Sequence, residues 1–262
     1  MQMNSERIRQ SFSSAAESYD RHNSIQATIA RRLIEFLPEE REFKSILEVG
    51  CGTGLYTKLL VERFPEARIY SLDISSEMVN RARQHVKEEN VTWMTGDARE
   101  VLLDEKVTLV TGSASVHWAQ PLDELFANLN RQLYNRGRLV INVMLQGTLE
   151  ELHELRSRVA PDKYEAPVLP GRQQVVNRLE ESGFEILREK RGEIVQNYES
   201  AEQFLISLNE QGVAPCSSGS SPQLNRGELE ELQQLYAEEY ATEEGVEATY
   251  DLLEIEAVKN GE

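Results

Sequence analysis

Seven consecutive residues, Glu48-Val49-Gly50-Cys51-Gly52-Thr53-Gly54, carry the densest chemical information in the chain. They follow the apolar run SILEV and precede the helical pattern YTKLLVERF, which predicts a strand-to-helix turn whose glycines let the backbone approach a ligand closely. A dinucleotide-binding turn reads G-x-G-x-x-G and lays a pyrophosphate on the helix N-terminus. Here the third glycine comes one position early, giving G-x-G-x-G, and Glu48 at the strand end would repel a pyrophosphate while being able to meet an ammonium group. Asp73 ends the next apolar run, RIYSLD, at a spacing that lets a carboxylate accept hydrogen bonds from both hydroxyls of a ribose. Asp97, in TGDA after the third such run, is placed to meet an adenine amino group. The plainer alternative is that each of the three carboxylates caps a helix.

A ligand with a nucleoside at one end, an ammonium at the other and no phosphate between them fits this set. S-adenosylmethionine is therefore expected in preference to NAD, contacted by Glu48, Gly50, Gly52, Gly54, Asp73, Ile74, Asp97, Ala98 and Ser113. The segment Ser113 to Trp118 follows the fourth apolar run, at the carboxyl edge of the expected sheet, and should face the reactive end of the cofactor. Trp118 reads equally as a substrate wall and as an ordinary core tryptophan.

The elements that must hold these residues alternate short apolar strands with helices from Ser45 onward, the pattern of a parallel sheet built from βαβ units. A helix is expected over Leu122 to Leu133 and a fifth strand, RLVINVM, after the turn Asn135-Arg136-Gly137. Beyond it come a helix near Glu150 to Val159, a connection marked by Pro161, Pro167 and Pro170, and the helix RQQVVNRLEES stopped by Gly183. The segment FEILREKRGEIV reads as a strand, and YDLLEIEAV as a strand closing the sheet at its edge. The first forty residues read as two amphipathic helices ended by Pro38, a candidate lid, and Ala214 to Pro222, with its serines, as the most flexible stretch.

At 262 residues and 40% hydrophobic content the chain can bury one sizeable core. No apolar stretch has a membrane span's length of roughly 20 residues, and none of secretory type opens the sequence, so a cytoplasmic protein with no membrane partner is expected. Cys51 and Cys216 form no disulfide framework and are expected as free thiols. No metal is expected, since paired cysteine or histidine ligand spacing is missing. The net charge of −17 disfavours a nucleic-acid partner, which would require a basic stripe.

The segments GSASVHWAQ and FSSAAESYDRH, residues 12–22, are similar to those of the malonyl-acyl-carrier-protein O-methyltransferases of biotin synthesis. LEELHELR, YESAEQFLISLNEQGV and ATYDLLEI extend the resemblance over nearly the whole chain. It implies a Rossmann-like α/β sheet flanked by helices, with an N-terminal helical lid and a C-terminal helical insertion before the last strand. It also implies a single methyltransferase domain over 1–262, with the lid at 1–40, the cofactor-binding core at 45–145 and substrate-side helices and closing strands at 146–262. The implied reaction is methylation of the free carboxylate of a malonyl thioester on acyl carrier protein, or on coenzyme A. Trans-aconitate methyltransferases share a similar segment, and a cofactor-binding regulatory protein is the alternative outside enzymes. One departure stands out: the family commonly has glutamine where this chain has His117.

A carboxylate is already ionised at neutral pH, so transfer needs positioning more than a general base. Tyr19 is expected to reach the acceptor or steer the methyl group from the lid, with His117 and Arg156 as carboxylate partners. The competing placements are a helix-packing Tyr19, a loop His117, and an Arg156 paired at the surface with Glu151 or Asp162. Arg172, Arg188, Lys190 and Arg191 are the expected docking patch for an acidic carrier, or else a charged edge strand that blocks aggregation.

Overall fold

The computed structural model describes residues 5–21, 23–39, 42–165, 168–213 and 224–261; the 214–222 stretch, Cys216 and Pro167 lie outside them. The first five strands are β1 Ser45–Val49, β2 Arg68–Asp73, β3 Val91–Thr95, β4 Val107–Gly112 and β5 Leu133–Met144. They pair in parallel in the order β3-β2-β1-β4-β5. The chain reverses direction across the sheet between β1 and β4, which places the glycine turn at the switch point where such sheets bind ligands. The turn expected at Asn135 to Gly137 is instead an irregularity within β5, where the register against β4 shifts.

Alternation along each strand splits the core in two. Leu47, Val110 and Ile141 face α5 Leu122–Gln132 and α7 Arg172–Glu181, while Ile46, Leu109 and Val140 face α2 Ser24–Phe36 and α3 Leu55–Arg63. Ile29 and Leu33 of α2 are fully buried. Of the expected 1–40 lid, α2 is thus a fixed layer of the core, and α1 Ser5–Ala15 is the part that lies over the sheet's carboxyl edge.

The two remaining long strands are β6 Phe184–Tyr198 and β8 Gly245–Lys259, with the short β7 Ala241–Thr242 paired to β8. The last strand does not close the sheet at its edge: β8 inserts antiparallel between β5 and β6, and β6 is the edge. The side chains explain the order. Residues 251–258 of β8 are buried on both faces, whereas residues 187–191 of β6 are all exposed and carry four charges, Arg188, Glu189, Lys190 and Arg191. Between β6 and β8 the chain forms α8 Ala201–Glu210 and α9 Arg226–Glu239. Together with α6 Glu150–Val159 they build a second core around Phe204, Tyr236, Tyr250 and Leu152. Among the described residues no helix is long and apolar enough to cross a membrane.

Candidate active site

The glycine turn is pinned to β2 by the amides of Gly50 and Cys51, which both donate to the Leu72 carbonyl at 2.7 and 3.0 Å. Gly50 has φ +74°, and a Cβ there would come within 2.3 Å of Ser115 Cβ. Gly52, at φ +53°, would project a Cβ into open space, so the absent side chain leaves a cradle along the turn. Gly54, at φ +92°, instead backs onto Ala82 of α4 Ser76–His85, with 3.2 Å to a hypothetical Cβ. Its role is helix packing and it does not line the cavity.

Glu48 also departs from expectation. Its side chain is fully buried beneath the turn, where Oε2 accepts hydrogen bonds from Thr57 and Ser71, each at 2.7 Å. Burial pushes its pKa up to about 7 against the two hydroxyl donors. Its other oxygen, Oε1, has no hydrogen-bond partner, and Glu48 is not among the residues that line the cavity. Cys51 is buried with a free thiol.

A cavity opens over the turn. Gly50, Gly52, Asp73, Ile74, Asp97, Ala98, Ser113 and Trp118 line its floor and walls; Tyr19, Phe12 and Ile8 cover it. Asp73 Oδ2 accepts from the Gly52 amide and Oδ1 from the Ser75 amide, both at 2.9 Å, which fixes the carboxylate at the cavity wall. Desolvation pulls the Asp97 pKa up, and the hydrogen bonds from Arg99 outweigh it, leaving Asp97 below the usual carboxylate value. The far wall is the segment after β4. Ala114 sits there at φ +50°, and its amide donates to Asn142 Oδ1 at 2.6 Å. Asn142, fully buried on β5, is the residue that shapes this loop.

The cover is held at several points. Ser13 donates to Glu77 at 2.7 Å, Thr53 donates to Asp20 at 2.6 Å, and Ser11 and Ser18 donate to the carbonyls of Gly212 and Glu210. Phe12 meets Trp118 edge to face at 5.7 Å. Burial, with Asp73 and Asp20 nearby, raises the Tyr19 pKa, so its hydroxyl stays a neutral phenol.

Trp118 also belongs to a second, mainly apolar chamber, lined on its polar side by His117, His153, Gln26, Gln211 and Thr148. His117 is fully buried, and the Met144 amide donates to its Nδ1 at 3.4 Å. Because Nδ1 accepts, the proton of the neutral ring resides on Nε2. Nε2 is shielded from solvent and has no partner. Burial lowers the His117 pKa to about 3, so the ring is a neutral donor and neither a base nor a cation at neutral pH.

A methyltransferase-domain family model matches residues 47–141, the span from β1 through β5 that builds the cavity floor. Malonyl-[acyl-carrier protein] O-methyltransferase 2 of Coxiella burnetii is 32% identical over 209 residues, covering 79% of this chain and 80% of that protein. The chain belongs to the malonyl-[acyl-carrier protein] O-methyltransferase family. The Priestia megaterium member is 28% identical over 99% of this chain and 100% of its own length. In fold the chain is similar to the geranyl diphosphate C-methyltransferase of Streptomyces coelicolor A3(2), solved with S-adenosylhomocysteine. The TM-score is 0.53 at 14% identity, over 88% of this chain and 78% of that one. The protein is a methyltransferase, and its cofactor is S-adenosylmethionine.

The other residues expected to act in this methyltransferase fall in two places. Arg156 lies half-buried on α6 and pairs with neither Glu151 nor Asp162; its guanidinium has no ion pair among the described residues, and its Nε has no hydrogen bond. The four basic residues of the expected docking patch do not form one patch. Arg188 bonds Glu256 at 2.7 Å and stacks on Phe36, Arg191 bonds Asp251 at 2.8 and 2.9 Å, and Arg172 bonds Glu189. Strand alternation puts Arg188 and Lys190 on one face and Arg191 on the other, and Arg188 and Arg191 neutralise the buried acids Glu256 and Asp251 of β8. His153, Gln26 and Asn142 escaped the sequence reading. Their roles depend on contacts between segments far apart in sequence, as when Asn142 of β5 accepts from the Ala114 amide.

Proposed function

We propose that this methyltransferase transfers the methyl group of S-adenosylmethionine to the free carboxylate of a malonyl group held as a thioester on acyl carrier protein. The observation that carries the reading is the chamber that shares its Trp118 wall with the cofactor cavity, whose described lining contains no acidic side chain in a chain with 45 of them. Among the described residues no carboxylate lines the chamber that an anionic acceptor would enter. Family membership supports the malonyl thioester as that anion.

The residues present fit the cofactor. The open cradle at Gly52 gives room for its length, and Asp73, with one face of its carboxylate toward the cavity, is suited to ribose hydroxyls. Asp97, Ile74, Ala98, Gly50 and Ser113 complete the proposed contacts. When bound there, S-adenosylmethionine supplies an electrophilic methyl group. The chain's own work is to orient and to exclude water. His117 donates Nε2–H to an acceptor oxygen without adding charge, which avoids clamping the ground-state anion. Tyr19 and Phe12 close the site, favouring a reaction in which opposite charges disappear. No side chain needs to remove a proton.

We also infer that 1–262 acts as a single domain in the cytoplasm, with α1 as its lid and neither nucleic acid nor membrane as partner; the net charge of −17 supports the exclusion of nucleic acid. Malonyl-coenzyme A, with the same acyl group, is expected as a weaker acceptor. The test is transfer of labelled methyl to malonyl-acyl-carrier protein, malonyl-coenzyme A and trans-aconitate at equal concentration. The reading requires the carrier thioester to be methylated fastest, and methylation of aconitate alone would reassign the substrate.

A further inference from the structure

The chamber behind Trp118 holds more hydrogen-bonding capacity than a carboxylate alone would use. Besides His117 Nε2, two shielded atoms of residues that line it have no partner, His153 Nδ1 and Gln26 Oε1; Arg156 Nε, likewise unpartnered, belongs to a residue outside the lining. An unpartnered buried polar atom costs stability, on the order of 1–3 kcal/mol, so several facing one chamber point to a ligand that satisfies them. His153 and Arg156 stand three residues apart on α6, which puts them on one helix face. Tyr164 packs beside the imidazole at 6.2 Å. Burial first, and then the Arg156 charge, lower the His153 pKa to about 4, so the ring is neutral at neutral pH. A neutral imidazole beside a guanidinium is a polarised N–H donor. It stands on the chamber's α6 side, whereas His117 stands in the segment after β4.

We infer that this chamber seats an acyl group bearing two oxygen functions, and that His153 is the specificity-determining residue that receives the second one, the carbonyl next to the thioester sulfur. The inference rests on the carboxyl-methyltransferase reading for which end of the acceptor meets Trp118. In this arrangement the carboxylate lies at the Trp118 boundary beside His117, and the thioester carbonyl lies toward His153 with Arg156 behind it. The lining between them includes the apolar Leu149, Met144, Leu169 and Leu208. A site built to hydrogen-bond an oxygen rejects an analogue lacking it, because its own donors then stay unsatisfied.

The experiment compares two acceptors, malonyl-acyl-carrier protein and the same carrier bearing the thioether in which a methylene replaces the thioester carbonyl. Their affinities are measured with S-adenosylhomocysteine bound, for the wild-type protein, His153→Phe and His153→Gln. The wild type should bind the thioester roughly tenfold more tightly than the thioether. His153→Phe should lose that preference while keeping its affinity for S-adenosylhomocysteine, and His153→Gln, a neutral donor, should retain it. Equal weakening of both acceptors by His153→Phe, or no weakening, overturns the assignment of His153. A wild-type protein that binds neither acceptor overturns the malonyl reading and this inference with it.

Discussion

Glu48 separates what a residue type suggests from what its position does. Its folded pKa of about 7 exceeds the ordinary 4.5, so the stability it contributes is present below pH 4.5 and is lost as pH rises through 7. Glu48→Gln keeps an oxygen that can accept from Thr57 and Ser71 and removes the buried charge. It should therefore raise Tm at pH 8.5 by several degrees, corresponding to up to about 3 kcal/mol. At pH 5 it should change Tm little, and cofactor affinity should stay the same at both values. A large loss of affinity in Glu48→Gln would restore the ammonium contact expected from sequence. Asp73 and Asp97 were legible because strand ends at this spacing face one edge, whereas Glu48 and Gly54 lie at the same edge but turn inward to hydroxyls and to α4. His117 was legible as a residue of the segment after β4 and as a candidate carboxylate partner, and its burial was not. Its Nδ1 contact to the Met144 amide leaves Nε2–H as a neutral donor, the same donor type that a glutamine amide would offer.

At the scale of elements, α1 is the part of the chain that converts an open α/β edge into a closed site. Its hold combines the Phe12–Trp118 ring contact with hydroxyl bonds from Ser11 and Ser13. Phe12→Ala removes the aromatic contact, worth roughly 1 kcal/mol beyond its buried area. The expected outcome is a several-fold lower kcat, with faster proteolysis in α1 when S-adenosylhomocysteine is bound and little change in global Tm. Unchanged kcat would show that closure does not depend on this contact. Helical spacing predicted both N-terminal helices, yet it could not tell a cover from a core layer: α1 and α2 are both amphipathic, and only packing against β5 assigns α2 to the core. The same limit applies to the last strand. A run of apolar residues announces burial on two faces, and the charged run in β6 announces an edge, but which strand inserts beside β5 depends on pairing between segments far apart in sequence.

Over the whole molecule, a net charge of −17 sets the terms on which an acidic carrier can approach. Arg172, Arg188 and Arg191 are each engaged with a carboxylate, so overall repulsion outweighs attraction by the β6 region. Added salt should then leave KM for malonyl-acyl-carrier protein unchanged or lower it between about 50 and 200 mM, because screening acts on repulsion. A steep rise of KM with salt would reveal a local basic docking surface outside these residues. The acid-free lining behind Trp118 stands against this negative surface as the place where an anion is tolerated. The most direct measurement is the intact mass of malonyl-acyl-carrier protein after incubation with the protein and S-adenosylmethionine. The account predicts a gain equal to one methylene, located on the malonyl group and removed by mild base, as a methyl ester is. An unchanged mass with cofactor bound, or a methyl group that survives base, would contradict it.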